Sequence, residues 1–212
     1  MNLSLETIST CNRYCPTCLR NSYPNKEKIA SWFVPEYLPL EIIKEALRQY
    51  SEMRPNRKIC LSHYNEPLLD ERIVTIAEMA KTPFNYVYLN TNGDLLTPEL
   101  EKSLNDILDE VYVSPPNSHF ATHFSPRFDV IKLAKSYEQN LCRRPQKRII
   151  INHKGQFLLC CEDIIGDFDL PRFPETSLED YWSGVQHTKI INDLSLRKGR
   201  RKYPYCKICP RP

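Results

Sequence analysis

The segment Cys11-Asn12-Arg13-Tyr14-Cys15-Pro16-Thr17-Cys18 places three cysteines at spacings of x3 and then x2. Thiolates are the usual ligands of iron–sulfur clusters, and a cubane normally takes four of them. Three thiolates within eight residues hold three irons and leave the fourth with an open coordination position. An open position separates a metal site that does chemistry on a ligand from one that is closed and structural. Spacing alone leaves two other readings: a zinc knuckle, which wants a fourth donor and usually shows paired C-x2-C units, and a chance trio of buried cysteines.

A second set lies in the last third of the chain, where Cys142, Cys160, Cys206 and Cys209 supply four thiolates. Four suit a closed site, either zinc or a fully ligated cubane. Cys160 closes an expected hairpin, and Cys206-Lys207-Ile208-Cys209 is a tight x2 pair. Of the nine cysteines only Cys60 and Cys161 remain. Cys60 reads as a buried strand residue, because free cysteine packs as a small hydrophobe.

The elements that must position these groups alternate between strand and helix. Strands are expected at Leu3–Ile8, Ile59–Leu61, Tyr86–Leu89 and Val111–Val113. Helices are expected from Pro39 to Met53, from Asp70 to Lys81 and from Pro98, with Thr97 as its cap. That order is the signature of a parallel sheet with crossover helices. A closed eightfold barrel needs about 250 residues, so the expectation is an open, truncated (β/α) barrel. After Ser114 come a helix over 127–137, a hairpin of 148–151 with 156–159, and a helix capped by Ser177, broken at Gly184 and running to about Arg197. The expected domains are residues 1–140, the partial barrel, and 141–212, a small α+β extension holding the second cysteine set.

In a parallel α/β array, ligand-binding groups lie at the C-terminal ends of the strands. Here those ends carry the cysteine loop, then Ser62-His63-Tyr64-Asn65-Glu66-Pro67, then Asn90-Thr91-Asn92-Gly93, then Ser114. Composition narrows the class. A chain of 212 residues with 41% hydrophobic and 26% charged residues suits one core plus an appendage. A net charge of +3 from 29 basic and 26 acidic residues does not call for nucleic acid. The run Arg197-Lys198-Gly199-Arg200-Arg201-Lys202 reads as a solvated helix end. Five glycines against 17 prolines argue against a glycine-rich phosphate loop. The absence of a signal-like start and of a long apolar run points to a reducing cytoplasm, and away from membranes.

The x3–x2 triplet, with Glu66-Pro67 after the second strand and Thr91-Asn92-Gly93 after the third, resembles the radical S-adenosylmethionine (SAM) superfamily. That resemblance implies a [4Fe–4S] cluster on Cys11, Cys15 and Cys18, whose open iron chelates SAM and whose electron splits it to a 5′-deoxyadenosyl radical. It implies that Glu66 and Asn65 hold the amino group of SAM. Thr91, Asn92 and Ser114 would line its binding site, and Tyr14 would border the adenine. Tyr64 and Asn65 stand where the family has glycines. The run from Ile151 to Asp163, followed by Ser177-Leu178-Glu179-Asp180-Tyr181-Trp182, resembles the SPASM/twitch extension. Its spacing is similar to that of the aminocyclitol-oxidising 2-deoxy-scyllo-inosamine dehydrogenases. The extension implies one auxiliary [4Fe–4S] cluster on Cys142, Cys160, Cys206 and Cys209.

The implied activity is a radical SAM oxidoreductase that takes a hydrogen atom from a small polar substrate and dehydrogenates a sugar or aminocyclitol-type alcohol. A reductant such as flavodoxin or ferredoxin is implied as partner. Peptide modification of the RiPP type and epimerisation are alternatives within the superfamily; outside it stands a non-catalytic iron–sulfur or zinc module. Cys161 is either buried, an alternate cluster ligand, or a thiol that donates hydrogen to a substrate radical. His63, His119, His123 and Glu162 are candidate bases.

Overall fold

The computed structural model describes residues 1–15, 18–22, 34–53, 57–83, 85–114, 139–207 and 209. Strands β1 (Asn2–Leu5), β2 (Arg57–Cys60), β3 (Asn85–Thr91) and β4 (Glu110–Val113) run parallel. Helices α1 (Leu19–Ser22) and α2 (Leu40–Met53) lie between β1 and β2, α3 (Ile73–Ala80) between β2 and β3, and α4 (Pro98–Ile107) between β3 and β4. The expected elements form, with ends displaced by a few residues. The helix expected from Asp70 starts at Ile73, because Pro67–Leu69 closes as a 3₁₀ turn ending on Asp70. Thr97 caps α4 by accepting a hydrogen bond from the Leu100 amide at 3.2 Å. The helix expected over 127–137 lies outside the described residues.

The hairpin of β5 (Arg148–Ile151) and β6 (Phe157–Leu158) extends the same sheet. β5 lies parallel to β1, pairing Asn2 with Arg148 through to Leu5 with Ile151, and β6 returns antiparallel. The strand order is β4-β3-β2-β1-β5-β6, a mixed α/β fold on a mostly parallel sheet of six strands. β1 therefore sits inside the sheet, between the first α/β repeats and the cysteine-rich last third.

Strand side chains alternate between faces. Leu3, Leu5, Ile59, Val87, Ile149 and Phe157 join Ile43, Ile76, Leu104 and Leu178 of the helices in one buried cluster. Helix α2 contributes Ile43, Ala46, Leu47 and Tyr50, spaced to form a single buried stripe. The intervening strand residues form a polar face. There Arg148 donates to Ser4 Oγ at 3.4 Å, and Tyr88 meets Tyr112 edge-on at 5.7 Å.

Beyond β6, Ser177 caps α5 (Leu178–Ser183), and Gly184 separates it from α6 (Val185–Leu194). Tyr181 of α5 stacks on Phe157 of β6 at 4.0 Å, which fixes the C-terminal helices to the hairpin. Helix α6 stops at Leu194, short of Arg197, and Lys198 takes a left-handed φ of 65°. The basic run expected as a solvated helix end is a 3₁₀ turn, Gly199–Lys202, in which Arg200 is buried. A last turn, α7 (Pro204–Lys207), presents Cys206. Among the described residues, no helix is long and apolar enough to cross a membrane.

Candidate SAM and cluster sites

The first cysteine loop begins where β1 ends. The Glu6 amide still bonds Ile151 O at 2.9 Å, and the chain then leaves the sheet. Cys18 N donates to Cys15 O at 3.0 Å, and the Asn21 side chain donates to the same carbonyl at 2.8 Å, so the loop folds back on itself. Arg20 fastens it from beneath. Its buried guanidinium donates to Ser9 O at 2.7 Å and Tyr64 O at 3.0 Å. Cys15 is exposed, while Cys11 and Cys18 are partly covered. Burial pushes the Cys11 and Cys18 thiols up; Cys11 also senses Cys15, and Cys18 senses Cys11 and Cys15. Three neighbouring thiols at an open rim fit the donor set of a cluster with one free iron.

The loop after β2 brings Glu66 to this rim. Its carboxylate is 2% exposed and accepts from Leu68 N at 3.0 Å, Thr91 Oγ1 at 2.7 Å and Asn92 N at 2.7 Å. It therefore ties the ends of β2 and β3 together. Burial pushes its pKa up against the hydrogen bonds that pull it down. Two carboxylate oxygens accept about four hydrogen bonds, so one further donor can be taken. Asn65 Oδ1 accepts from His63 N at 2.8 Å, and its buried Nδ2 has no partner among the described residues.

Asn92 meets the cysteine loop directly. The Asn92 amide group donates to Asn12 Oδ1 at 2.8 Å and approaches Cys11 Sγ at 3.9 Å. Gly93 carries a φ of 81°, and a Cβ there would come within 2.7 Å of Val113, so glycine is required where β3 turns under β4. Ser114 N bonds Thr91 O at 2.8 Å, and Ser114 O accepts from Arg13 Nη1 at 3.1 Å. Arg13 also forks onto the Asp94 carboxylate, donating from Nε at 2.6 Å. The Tyr14 ring is 70% exposed. Cys11, Cys15, Cys18, Asn65, Glu66, Asn92 and Ser114, with Thr91 at the tip of β3, thus belong to segments that meet at one end of the sheet. Sequence reading missed the clasp of Arg13 and Asp94, and the anchor Arg20. Single charged residues 81 positions apart leave no spacing signal.

The second set forms a compact interior group. Cys142, Cys160, Cys206 and Cys209 are all buried. Cys142 N bonds Leu194 O at 2.8 Å, and Asp163 braces the Cys160 turn by accepting from Leu159 N at 2.9 Å. Burial, then Cys161 and Cys209, push the Cys160 thiol well up; burial, then Cys209 and Cys142, push Cys206 up to about 12. Four buried thiols in one interior group supply the four donors of a closed, fully ligated cubane. Among the described residues no three His, Cys, Asp or Glu side chains converge as donors to a single ion. In a cubane each thiolate sits on its own iron. Cys161, next to Cys160 and half-covered, accepts from Arg144 Nη1 at 3.5 Å.

Between the two sets, beside the end of β1, lies a buried pair. His153 Nδ1 and Glu6 Oε2 are 2.9 Å apart, both residues are buried, and the half-exposed Glu36 approaches His153 Nε2 at 3.5 Å. Burial raises the Glu6 pKa, but the hydrogen bond with His153 and the charges of His63, His153 and Arg20 outweigh it, and the net shift is downward. A carboxylate depressed in the folded state stabilises above its unfolded pKa and loses that contribution as pH falls through the folded value. Acid unfolding should therefore steepen below about pH 4.5, and Glu6→Gln should flatten that limb in a urea series taken at several pH values. An unchanged acid limb in the variant would remove Glu6 as its source. His63 has burial pushing its pKa down and leaves Nε2 buried without a partner among the described residues. His119 and His123 lie outside the described residues.

Comparison with known families matches residues 5–119 to the radical SAM superfamily model and residues 142–210 to SPASM, an iron–sulfur cluster-binding domain. The chain belongs to the radical SAM superfamily, and it is an enzyme of that family carrying a SPASM region. The family's [4Fe–4S] cluster and SAM, together with an auxiliary iron–sulfur cluster, are its cofactors. Two solved structures share the fold. One is BtrN in complex with AdoMet and 2-DOIA, with a TM-score of 0.77 and 20% identity over 97% of this chain and 91% of that one. The other is BtrN in an open conformation, with a TM-score of 0.78 and 22% identity over 98% and 91%. No curated protein matches the sequence.

Proposed function

We propose that the enzyme dehydrogenates a small polar alcohol, of the sugar or aminocyclitol kind, using one radical-generating cluster and one auxiliary cluster as electron acceptor. When bound, the clusters and SAM supply a 5′-deoxyadenosyl radical and a sink for one electron. The substrate carbon gives its hydrogen atom to that radical; its hydroxyl proton and one further electron then leave, and a carbonyl remains. The observation that carries this reading is the buried quartet Cys142, Cys160, Cys206 and Cys209, a donor set with no position left for a substrate. The complex of BtrN with AdoMet and 2-DOIA, on the same fold, supports the substrate class.

Cys11, Cys15 and Cys18 would hold the open-site cluster. Glu66 accepts the SAM ammonium group beside Asn65, while Thr91, Asn92 and Ser114 shape the wall around it. Tyr14 is placed to cover the adenine. His63, kept neutral by burial and holding a spare Nε2, is suited to take the hydroxyl proton. A low-potential carrier such as flavodoxin or ferredoxin supplies the electron. A reducing cytoplasm suits nine free cysteines.

One observation favours epimerisation as a second reading: Cys161 is half-covered and lines a cavity, where it could return hydrogen to a substrate radical. The two separate in deuterated water with the 2-deoxy-scyllo-inosamine probe. Dehydrogenation yields a ketone in wild type and in Cys161→Ala alike. An inverted carbon bearing solvent deuterium, lost in Cys161→Ala, would replace the first reading by the second.

A further inference from the structure

One cavity of about 410 Å³ is lined by Leu141, Arg143, Arg144, Lys147, Arg148 and Cys161. Its walls are neighbours of the auxiliary quartet, since Leu141 precedes Cys142 and Cys161 follows Cys160. Arg148 also belongs to the polar face of the sheet, through its bond to Ser4. Four cations within six positions converge on this space. Unscreened, they repel one another. Arg143, Lys147 and Arg148 make no ion pair with a carboxylate among the described residues. The nearby acid Glu162 is buried and does not line the cavity, although it lies 3.9 Å from the Cys161 thiol.

We propose that this cavity seats a phosphomonoester carried by the substrate, which makes the substrate a phosphorylated sugar or polyol. The inference rests on the reading above, in which a small polar molecule is oxidised. A phosphomonoester carries up to two charges and three strong acceptor oxygens, and planar guanidiniums grip such a group in pairs. The volume lies in the range that holds small-molecule ligands. Anchoring here would hold the carbon skeleton between the quartet and the polar face, within reach of the electron acceptor. The same four side chains favour an anion over a protonated amine, so a phosphorylated polyol is expected to bind more tightly than an aminocyclitol, whose binding they weaken without excluding it.

The test uses the reconstituted full chain, titrated anaerobically by calorimetry with inorganic phosphate, a hexose 6-phosphate and the unphosphorylated hexose. The hexose 6-phosphate is expected to bind saturably, more tightly than inorganic phosphate and about tenfold or more better than the hexose. Arg144→Gln/Lys147→Gln should weaken it by about tenfold or more. Arg197→Gln/Lys198→Gln, a basic pair lining a neighbouring cavity that shares only Leu141 with this one, should bind like wild type. Glutamine keeps the stems of these partly exposed side chains, and iron content with circular dichroism confirms folding. Equal weakening in both double variants, no saturable binding of either phosphate, or tighter binding of an oligonucleotide would overturn the proposal. Cleavage of SAM by dithionite is measured on the same preparations. Cleavage without phosphate binding removes only the substrate class, whereas a wild type that cleaves no SAM removes the reading on which it rests.

Discussion

Cys15→Ala is expected to lose about four of about eight irons per chain and to bring SAM cleavage down to background. Cys206→Ala should lose the other four while still forming 5′-deoxyadenosine, but without oxidised product. The asymmetry follows from placement. Cys15 is exposed on a loop at the rim, so removing its thiol leaves no cavity and tests the open-site cluster alone. Cys206 is buried within the quartet, and cluster binding there is coupled to folding. Its replacement should therefore also lower the thermal midpoint. Cys60→Ala is the control: this buried thiol lies on the polar face, bonded to Ser62, and its loss should leave the iron count unchanged. Equal iron loss from Cys60→Ala, or zinc in place of iron in the quartet, would defeat the assignment.

Glu66→Ala should both loosen the rim and abolish useful SAM affinity. The carboxylate satisfies Leu68 N, Thr91 Oγ1 and Asn92 N in a buried setting. Each buried donor left without a partner costs about 1–3 kcal/mol, and a loss of about 3 kcal/mol corresponds to roughly 6–12 °C for a chain of this size. Glu66→Gln separates the two effects. One oxygen remains for the chain's own donors, so the thermal loss should be about half as large. The negative charge proposed to face the SAM ammonium is gone, so affinity should fall by about tenfold or more. Equilibrium binding of SAM alongside thermal melts reads both. Wild-type affinity in Glu66→Gln would mean that the carboxylate serves only to join the two loops.

The α/β alternation was readable because α2 and α4 announce themselves, the first by its apolar stripe and the second by Thr97-Pro98. The polar strand ends were legible for the same reason: short apolar strands followed by Ser62, Asn90 and Ser114 mark where each strand runs out, although β3 itself continues through Asn90 to Thr91. The attachment of β5 to β1 was not legible. Arg148-Ile149-Ile150-Ile151 reads as a hairpin strand wherever its partner lies, and pairing across 146 positions leaves no local trace. Arg200 was misread for a related reason. A run of five cations in six residues looks uniformly solvated, but the left-handed Lys198 turns the chain so that one guanidinium enters the interior and donates to Leu141 O. The segment between Ser114 and Gln139, where the expected helix over 127–137 falls, lies outside the described residues.

The pairing of β1 with β5 has a consequence for synthesis. β1 leaves the ribosome well before its second neighbour, which emerges only when residues 148–151 do. Until then β1 can pair with β2 alone, and one flank of an apolar strand stays open to other chains. Contacts so distant in sequence also slow folding, since a long loop must close before they reward it. The nascent chain therefore waits, half-zipped, for a strand that lies between Cys142 and Cys160 of its second set of cysteines.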